Sequence, residues 1–282
     1  TVMFPPVLVF YGVGSWWWLH RRGERRGRAL ALLAAAGGLM LLAVHGWATH
    51  VEPRLLRVRH ERLVVEGLTR PLRILHISDI QSGGIGRYEE KAFARMRELR
   101  PDLVVLTGDL LQPVPPHDVQ EDWPKLRAMM ESLEAPLGKF VVQGDVDHPV
   151  LGALMAGEGG FRLLMDSSEE IDLPEGGRLR ILGLSVGMSA DAGMAGVARA
   201  LVQEWLAEGD DDAVTVILGH RPDYVLGVRD LPITLCVAGH THGGQIRLPF
   251  LGPILTLSRV PRKWARGMHE IGATWVNVGG AR

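Results

Sequence analysis

From about Leu63 onward, short apolar runs alternate with longer amphipathic ones. The runs at residues 73–78, 103–107, 139–143, 178–184, 214–218 and 234–238 are rich in Val, Ile and Leu and read as strands. Between them, residues 89–99, 119–133 and 194–208 space their apolar positions as helices do. Strands alternating with helices predict an α/β fold with a largely parallel sheet. Upstream the pattern differs. Residues 2–19 carry no charge and end in Trp16-Trp17-Trp18, residues 20–28 hold five arginines, and residues 29–48 are apolar again. A helix of about 20 residues rises about 30 Å, the thickness of a hydrocarbon core. Residues 1–50 are therefore expected to form a transmembrane helical hairpin with a basic loop at 20–28, the tryptophans lying at headgroup level. A signal peptide fits poorly, because two apolar runs flank the basic stretch and no clear cleavage site follows either. The domain plan is completed by a linker at 51–62 and the α/β domain at 63–282. The chain starts without Met and stops at Gly279-Gly280-Ala281-Arg282, so the domain is expected to be cut short at its C-terminal end. The positive-inside rule puts the basic loop in the cytoplasm and the domain on the extracytoplasmic side.

Composition narrows this picture. A chain of 282 residues that is 46% hydrophobic is too long and too apolar for a disordered tail. Its mean hydropathy of +0.09 agrees with part of it living in lipid. The one cysteine, Cys236, excludes an intrachain disulfide and a cysteine-cluster zinc site; mid-strand, it reads as a small core hydrophobe. The net charge of −1 conceals an asymmetry: residues 1–62 hold nine Arg against three Glu, while the remainder carries 22 basic and 29 acidic side chains. An acidic domain without a basic stripe argues against nucleic-acid binding, which rests on neutralising phosphates, and no nucleic-acid partner is expected.

Five of the strand candidates end alike, in an apolar run, a small or polar residue and then a metal-capable side chain. They deliver Asp79, Asp109, Asp145, His220 and His240, the last four each preceded by glycine. In α/β sheets ligands bind outside the carboxyl ends of the strands, so five strands would bring these groups to one rim. A single Asp in such a place is usually a helix cap or a solvated turn. Five equivalent ones, histidines among them, point to a metal site. The sharpest element is Gly239-His240-Thr241-His242-Gly243-Gly244-Gln245, where histidines at i and i+2 on extended backbone share one face.

Together these residues resemble the calcineurin-like metallophosphoesterase superfamily, and within it the bacterial membrane-anchored branch. The resemblance covers about Leu63 to the end and implies a two-sheet αββα sandwich with a dinuclear metal site. By that resemblance Asp79 and His242 bind one ion, with Gln81 at the place of the family's histidine. Asp109 bridges both ions, and Asp145, His220 and His240 complete the second. Two divalent ions are implied, with Mn or Fe favoured and Mg or Zn the alternatives. The carbonyl oxygen of Gln81 is a harder donor than imidazole, and so tilts the site away from zinc.

The third motif departs further, reading Gly144-Asp145-Val146-Asp147 where the family has Gly-Asn-His-Asp or Glu. Asp145 for Asn adds a third carboxylate, which lowers the formal charge of the filled site from +1 to 0 and weakens its pull on an anionic phosphate. Val146 replaces the histidine that assists the leaving oxygen, and His148, two residues on, is the candidate to stand in for it. The implied activity is hydrolysis of a phosphodiester or pyrophosphate, a lipid-linked one included, by a metal-bridged hydroxide. The expected partners are the lipid bilayer and a phosphate-ester substrate. The competing reading is a degenerate, non-catalytic protein that retains metal and serves in binding or regulation.

Overall fold

Strand residues that alternate between two apolar environments decide the architecture of this chain. In the computed structural model, residues 4–22, 25–51, 55–66, 68–190, 195–209, 212–244, 247–248, 252–253 and 255–280 are described. Gly23 and Glu24 of the basic loop, residues 52–54 of the linker, Met194, Gln245 of the histidine motif and the last two residues lie outside them. The chain forms two compact units, Thr1–Val58 and Arg59–Ala281.

The first unit holds helices α1 (Phe4–Arg21) and α2 (Arg25–Gly46), followed by a π-helical turn at Trp47–Val51. The two helices pack closely: a Cβ at Gly12 would come within 2.7 Å of the Ala31 carbonyl oxygen and of the Ala35 nitrogen. Ala31 and Ala35 are buried there, whereas Phe10, Tyr11, Leu30, Leu33 and Met40 are exposed. The sequence predicts two membrane spans. Among the described residues, only Gly27–Val51 is both long and apolar enough to cross a bilayer. The 18 residues of α1 include tryptophans, prolines and a terminal His20-Arg21, which lower its apolar character.

The second unit is built on two sheets. Strands β1 (Ile74–Ile77), β2 (Leu103–Leu106), β3 (Lys139–Val141) and β4 (Arg162–Leu163) form a parallel sheet in that order. The other sheet contains β5 (Ser167–Asp172), β6 (Arg178–Gly183), β7 (Val214–Leu218), β8 (Leu235–Ala238), β11 (Gly267–Ile271) and β12 (Thr274–Val278), in the order β11-β12-β8-β7-β6-β5. Its inner pairs are parallel, while β5 and β11 add antiparallel edges. A small antiparallel pair, β9 (Arg247–Leu248) and β10 (Gly252–Pro253), stands apart. The helices are α3 (Arg87–Glu98), α4 (Val119–Glu131), α5 (Leu151–Met155), α6 (Val186–Ala190), α7 (Ala195–Ala207) and α8 (Val225–Val228).

Strand periodicity shows how the layers stack. In β2, Leu103 and Val105 face Ile181, Val216 and Leu218 of the other sheet, forming the core between the sheets. Val104 and Leu106 point the opposite way, onto Phe93 of α3 and Leu126 and Met130 of α4. On the far side, Ile217 and Cys236 pack against Val202 and Trp205 of α7. Helices thus cover both outer faces, and strands such as β2 and β7 are buried throughout, as parallel strands between two layers must be. The six strands expected from the sequence are all present, with ends shifted by up to two residues. The edge strand β5, Ser-Ser-Glu-Glu-Ile-Asp, carries too little apolar signal to be read in advance.

Register aligns the strand ends. Leu106 lies opposite both Ile77 and Val141, so the segments bearing Asp79, Asp109 and Asp145 leave one sheet side by side. Leu218 lies opposite Val237, which does the same for His220 and His240. The buried Tyr224 hydroxyl lies 3.2 and 3.1 Å from the Ile217 and Val237 carbonyls and shares its one hydrogen between them, bracing β7 and β8 just before those histidines.

Candidate metal centre

The loops after β1 and β2 interlock first. Asp79 N donates to Gly108 O at 3.1 Å, and Gln81 N to Asp109 O at 2.9 Å. Gly108 adopts φ +85°, and a Cβ on it would overlap the backbone of Gly144 in the loop after β3. The turns are tight enough to force unusual backbone on the side chains they present. Asp79, Gln81, Asp109, His240 and His242 have φ of 51, 34, 57, 66 and 49°. Positive φ is uncommon outside glycine and costs on the order of 1 kcal/mol or more per residue, and such strain persists where surrounding structure over-determines it. Five of the seven ligand positions named from the sequence carry it.

Two groups of side chains result. Asp145, His220 and His240 present one ligand atom each within 4.8 Å of one another, and so do Asp79, Asp109 and His242. The groups share an edge: His220 Nε2 is 3.4 Å from Asp109 Oδ2 and 3.5 Å from Asp145 Oδ2. His240 Nδ1 is 2.9 Å from Asp145 Oδ2, and His242 Nε2 is 3.9 Å from Asp79 Oδ1. Contacts between the sheets hold the groups together. His240 N donates to Asp79 Oδ1 at 2.9 Å, and His220 Nδ1 lies 2.7 Å from Thr107 O.

The hydrogen bonds also fix which nitrogens face inward. A carbonyl only accepts, so His220 Nδ1 carries the hydrogen that reaches Thr107 O. Its Nε2 is buried, has no hydrogen-bond partner, and faces carboxylate oxygens. By the same reasoning His240 donates from Nε2 to Leu257 O, at 3.1 Å, and turns Nδ1 to Asp145. Lone pairs aimed at carboxylates repel unless a cation lies between them. The proton affinities register the same crowding of carboxylates. Burial disfavours a charged His220, yet Asp109 and Asp145 push its pKa up to about 10. Burial opposes ionisation of Asp145 as well, but His220, His240 and Arg221 hold its carboxyl well below the usual range. At Asp79 burial prevails and raises the pKa. A donor set of carboxylate oxygens and imidazoles with an orphaned buried nitrogen at its centre fits divalent metal.

The other residues named from the sequence fall differently. Gln81 reaches the cluster, its Nε2 donating to Asp109 Oδ2 at 2.6 Å. His148 is exposed at the head of a 3-10 turn, His148–Val150, and belongs to neither group. Val146 contributes its backbone N–H to Asp109 Oδ1 at 3.0 Å. A third grouping, His117, Glu121 and Asp122, is already served by Lys125, whose Nζ is 2.7 Å from Glu121 and 3.3 Å from Asp122.

Two residues escaped the sequence reading. Asp147 is fully buried and accepts hydrogen bonds from Asp109 N at 2.8 Å, Leu110 N at 2.7 Å and Gly144 N at 2.7 Å. It ties the loop after β2 to the loop after β3. Arg221 grips Asp145, with Nη2 to Oδ2 at 2.9 Å and Nε 3.1 Å from each oxygen. Both sit next to motif residues, and only three-dimensional contact shows what they hold.

Two stacked sheets with carboxylate and histidine clusters able to hold metal at their mouths agree with a comparison of sequences: the chain belongs to the calcineurin-like phosphoesterase family, whose model matches residues 72–244. Among its relatives is an uncharacterized metallophosphoesterase of Bacillus subtilis, YkuE, 29% identical over 92% of this chain and 89% of that protein. The UDP-2,3-diacylglucosamine pyrophosphatase LpxG of Chlamydia muridarum is 25% identical over 72% of this chain and 74% of its own length. The phosphodiesterase YaeI of Escherichia coli is 24% identical over 78% and 79%.

Proposed function

We propose that the protein is a membrane-anchored, metal-dependent phosphoesterase that cleaves a phosphodiester or pyrophosphate bond, with lipid-linked substrates the favoured class. The observation that carries this reading is the shared edge at Asp109, which faces both His220 and the Asp79–His242 side of the site. Asp79, Asp109 and His242 would hold one ion and Asp109, Asp145, His220 and His240 the other, in keeping with Mn or Fe as the metals. When bound, divalent ions acidify a water for attack on phosphorus and offset charge on the phosphoryl oxygens. The chain's own contribution is to fix the donors. Thr107 O and Leu257 O orient the imidazoles, Gln81 and the Val146 N–H hold the Asp109 carboxylate, and Asp147 anchors the loop beneath it. With valine at position 146, no side chain there moves a proton, so esters with good leaving groups are the better substrates.

The membrane reading rests on α2, on the exposed apolar side chains of both helices, and on the basic sequence between the two apolar runs. Arg21 stacks over Trp17 at 3.8 Å and Arg22 over Trp18 at 3.9 Å, an aromatic and cationic arrangement suited to a headgroup layer. The arginines of residues 20–28 support a cytoplasmic loop, and with it an extracytoplasmic catalytic domain. The pyrophosphatase name of the chlamydial relative supports a lipid-linked diphosphate for this chain as well. Val146 favours the second reading, a protein that keeps metal without turnover.

Hydrolysis of bis(p-nitrophenyl) phosphate by the full chain in detergent, loaded with Mn²⁺ and set beside Asp109→Asn, tests the proposal. Turnover that disappears in the variant is expected. A folded, manganese-loaded protein that leaves the ester intact would move the assignment to the second reading.

A further inference from the structure

Position 145 is the place where this chain adds a carboxylate to its cluster, and Arg221 answers it. Arg221 directly follows His220, and its backbone N–H is 3.4 Å from Ser189 Oγ. Its guanidinium meets Asp145 through Nε and Nη2. Nη1 donates to none of the described residues. The side chain is 31% exposed, so the group is neither locked in the core nor loose in solvent.

Arg221 also lines a cavity of about 590 Å³ together with Ala190, Asp223, Leu257, Ser258 and Arg259. This cavity adjoins the cluster, because the Leu257 carbonyl in its wall accepts the hydrogen bond from His240. Of its charged groups, Arg221 and Arg259 are cationic. The single carboxylate, Asp223, is buried and accepts from Ser258 Oγ at 2.9 Å and Arg259 N at 2.7 Å. The space beside the cluster is thus lined by the Arg221 guanidinium, while its carboxylate is already engaged.

We infer that Arg221 is a catalytic residue, binding a non-bridging oxygen of the substrate's phosphoryl group from this cavity. The inference rests on the phosphoesterase reading above. The guanidinium offsets the charge of Asp145 at rest and presents Nη1 to the phosphoryl group, supplying the positive charge that Val146 lacks. A planar fork suits both tasks, since it can grip a carboxylate along one edge and leave a further N–H for a phosphate oxygen.

The test uses the full chain in detergent, loaded with Mn²⁺, with bound metal counted by mass spectrometry and inorganic phosphate as the probe in calorimetry. Arg221→Gln is expected to keep its manganese, to bind phosphate about tenfold or more weakly, and to lose about 10²-fold in kcat/KM on bis(p-nitrophenyl) phosphate. Arg221→Lys should recover part of both. The double variant Asp145→Asn with Arg221→Gln separates contact from charge balance. If phosphate affinity stays low there, Arg221 touches the phosphate. If it returns to that of the wild type, Arg221 only balances Asp145 and the inference falls. Loss of manganese from Arg221→Gln, or unchanged phosphate affinity, would also overturn it. If the wild type binds phosphate through Arg221 yet turns over no ester, the anion site stands and the esterase reading falls.

Discussion

Asp147 offers a sharp test of how the centre is held, because its task is visible in bond lengths and does not depend on the metal. Its carboxylate is fully buried and accepts three backbone N–H groups at 2.7–2.8 Å, those of Asp109, Leu110 and Gly144. Hydrogen bonds to a charged acceptor contribute about 1.5–3 kcal/mol each, and three sharing one acceptor do not add fully. Asp147→Ala leaves three buried donors without partners, and should therefore cost roughly 4–6 kcal/mol, a large part of the ~5–15 kcal/mol that stabilises a typical domain. Asp147→Asn keeps the shape but turns an amide N–H toward backbone N–H groups, so a smaller loss of about 2–4 kcal/mol is expected. The control is Asp145→Asn, where the side chain is 24% exposed and faces Arg221. It removes a charge held by Arg221, His220 and His240 but orphans no buried backbone N–H, so it should cost less than Asp147→Ala. The assay is urea unfolding of the full chain in mild detergent with a chelator present, so that loss of metal does not enter the comparison. If Asp147→Ala loses less than about 1 kcal/mol, or no more than Asp145→Asn, the carboxylate is not what organises the two loops.

Three further outcomes follow from the same geometry. A Cβ at Gly144 would overlap the Asp109 backbone nitrogen and its carboxylate, so Gly144→Ala should abolish manganese binding, read by metal analysis of the purified protein. Burial lowers the His76 pKa from 6.5 to about 4, in a strand where Thr107 Oγ1 lies 2.9 Å from Nε2 and Asn277 Nδ2 3.1 Å from Nδ1. The unfolded chain takes up a proton on His76 before the folded one does. The stability present above pH 6.5 is therefore lost as pH falls toward 4, by roughly 1–3 kcal/mol for this partly exposed residue. The difference in urea midpoint between wild type and His76→Gln should shrink across that window, and a constant difference would count against a neutral His76. Gly12→Leu should separate α1 from α2, because a Cβ there already meets Ala31 O and Ala35 N at 2.7 Å; a lower melting temperature of the first unit in detergent is the readout.

The sequence by itself determined the strands that bear the chemistry. Their apolar runs, each closed by a small residue and an Asp or His, show the α/β plan and single out Asp79, Asp109, Asp145, His220 and His240, which with His242 cluster in the structure. Local periodicity suffices for that, since a parallel strand buried on both faces must be apolar throughout and its polar residues gather where it ends. Only the tertiary structure decided how the strands divide between two sheets, because burial on both faces looks the same in either. It also decided the partners of the ligands. Asp147 meets Asp109 across 38 positions, Arg221 meets Asp145 across 76, His220 meets Thr107 across 113, and His240 meets Asp79 across 161. No local pattern encodes such distances. The left-handed backbone of Asp79, Gln81, Asp109, His240 and His242 follows from the same contacts, being a conformation these residues would not choose alone. The positions of Gln81 and His148 were open for the same reason: a side chain's neighbours along the chain say what it can donate, and its neighbours in space decide to whom.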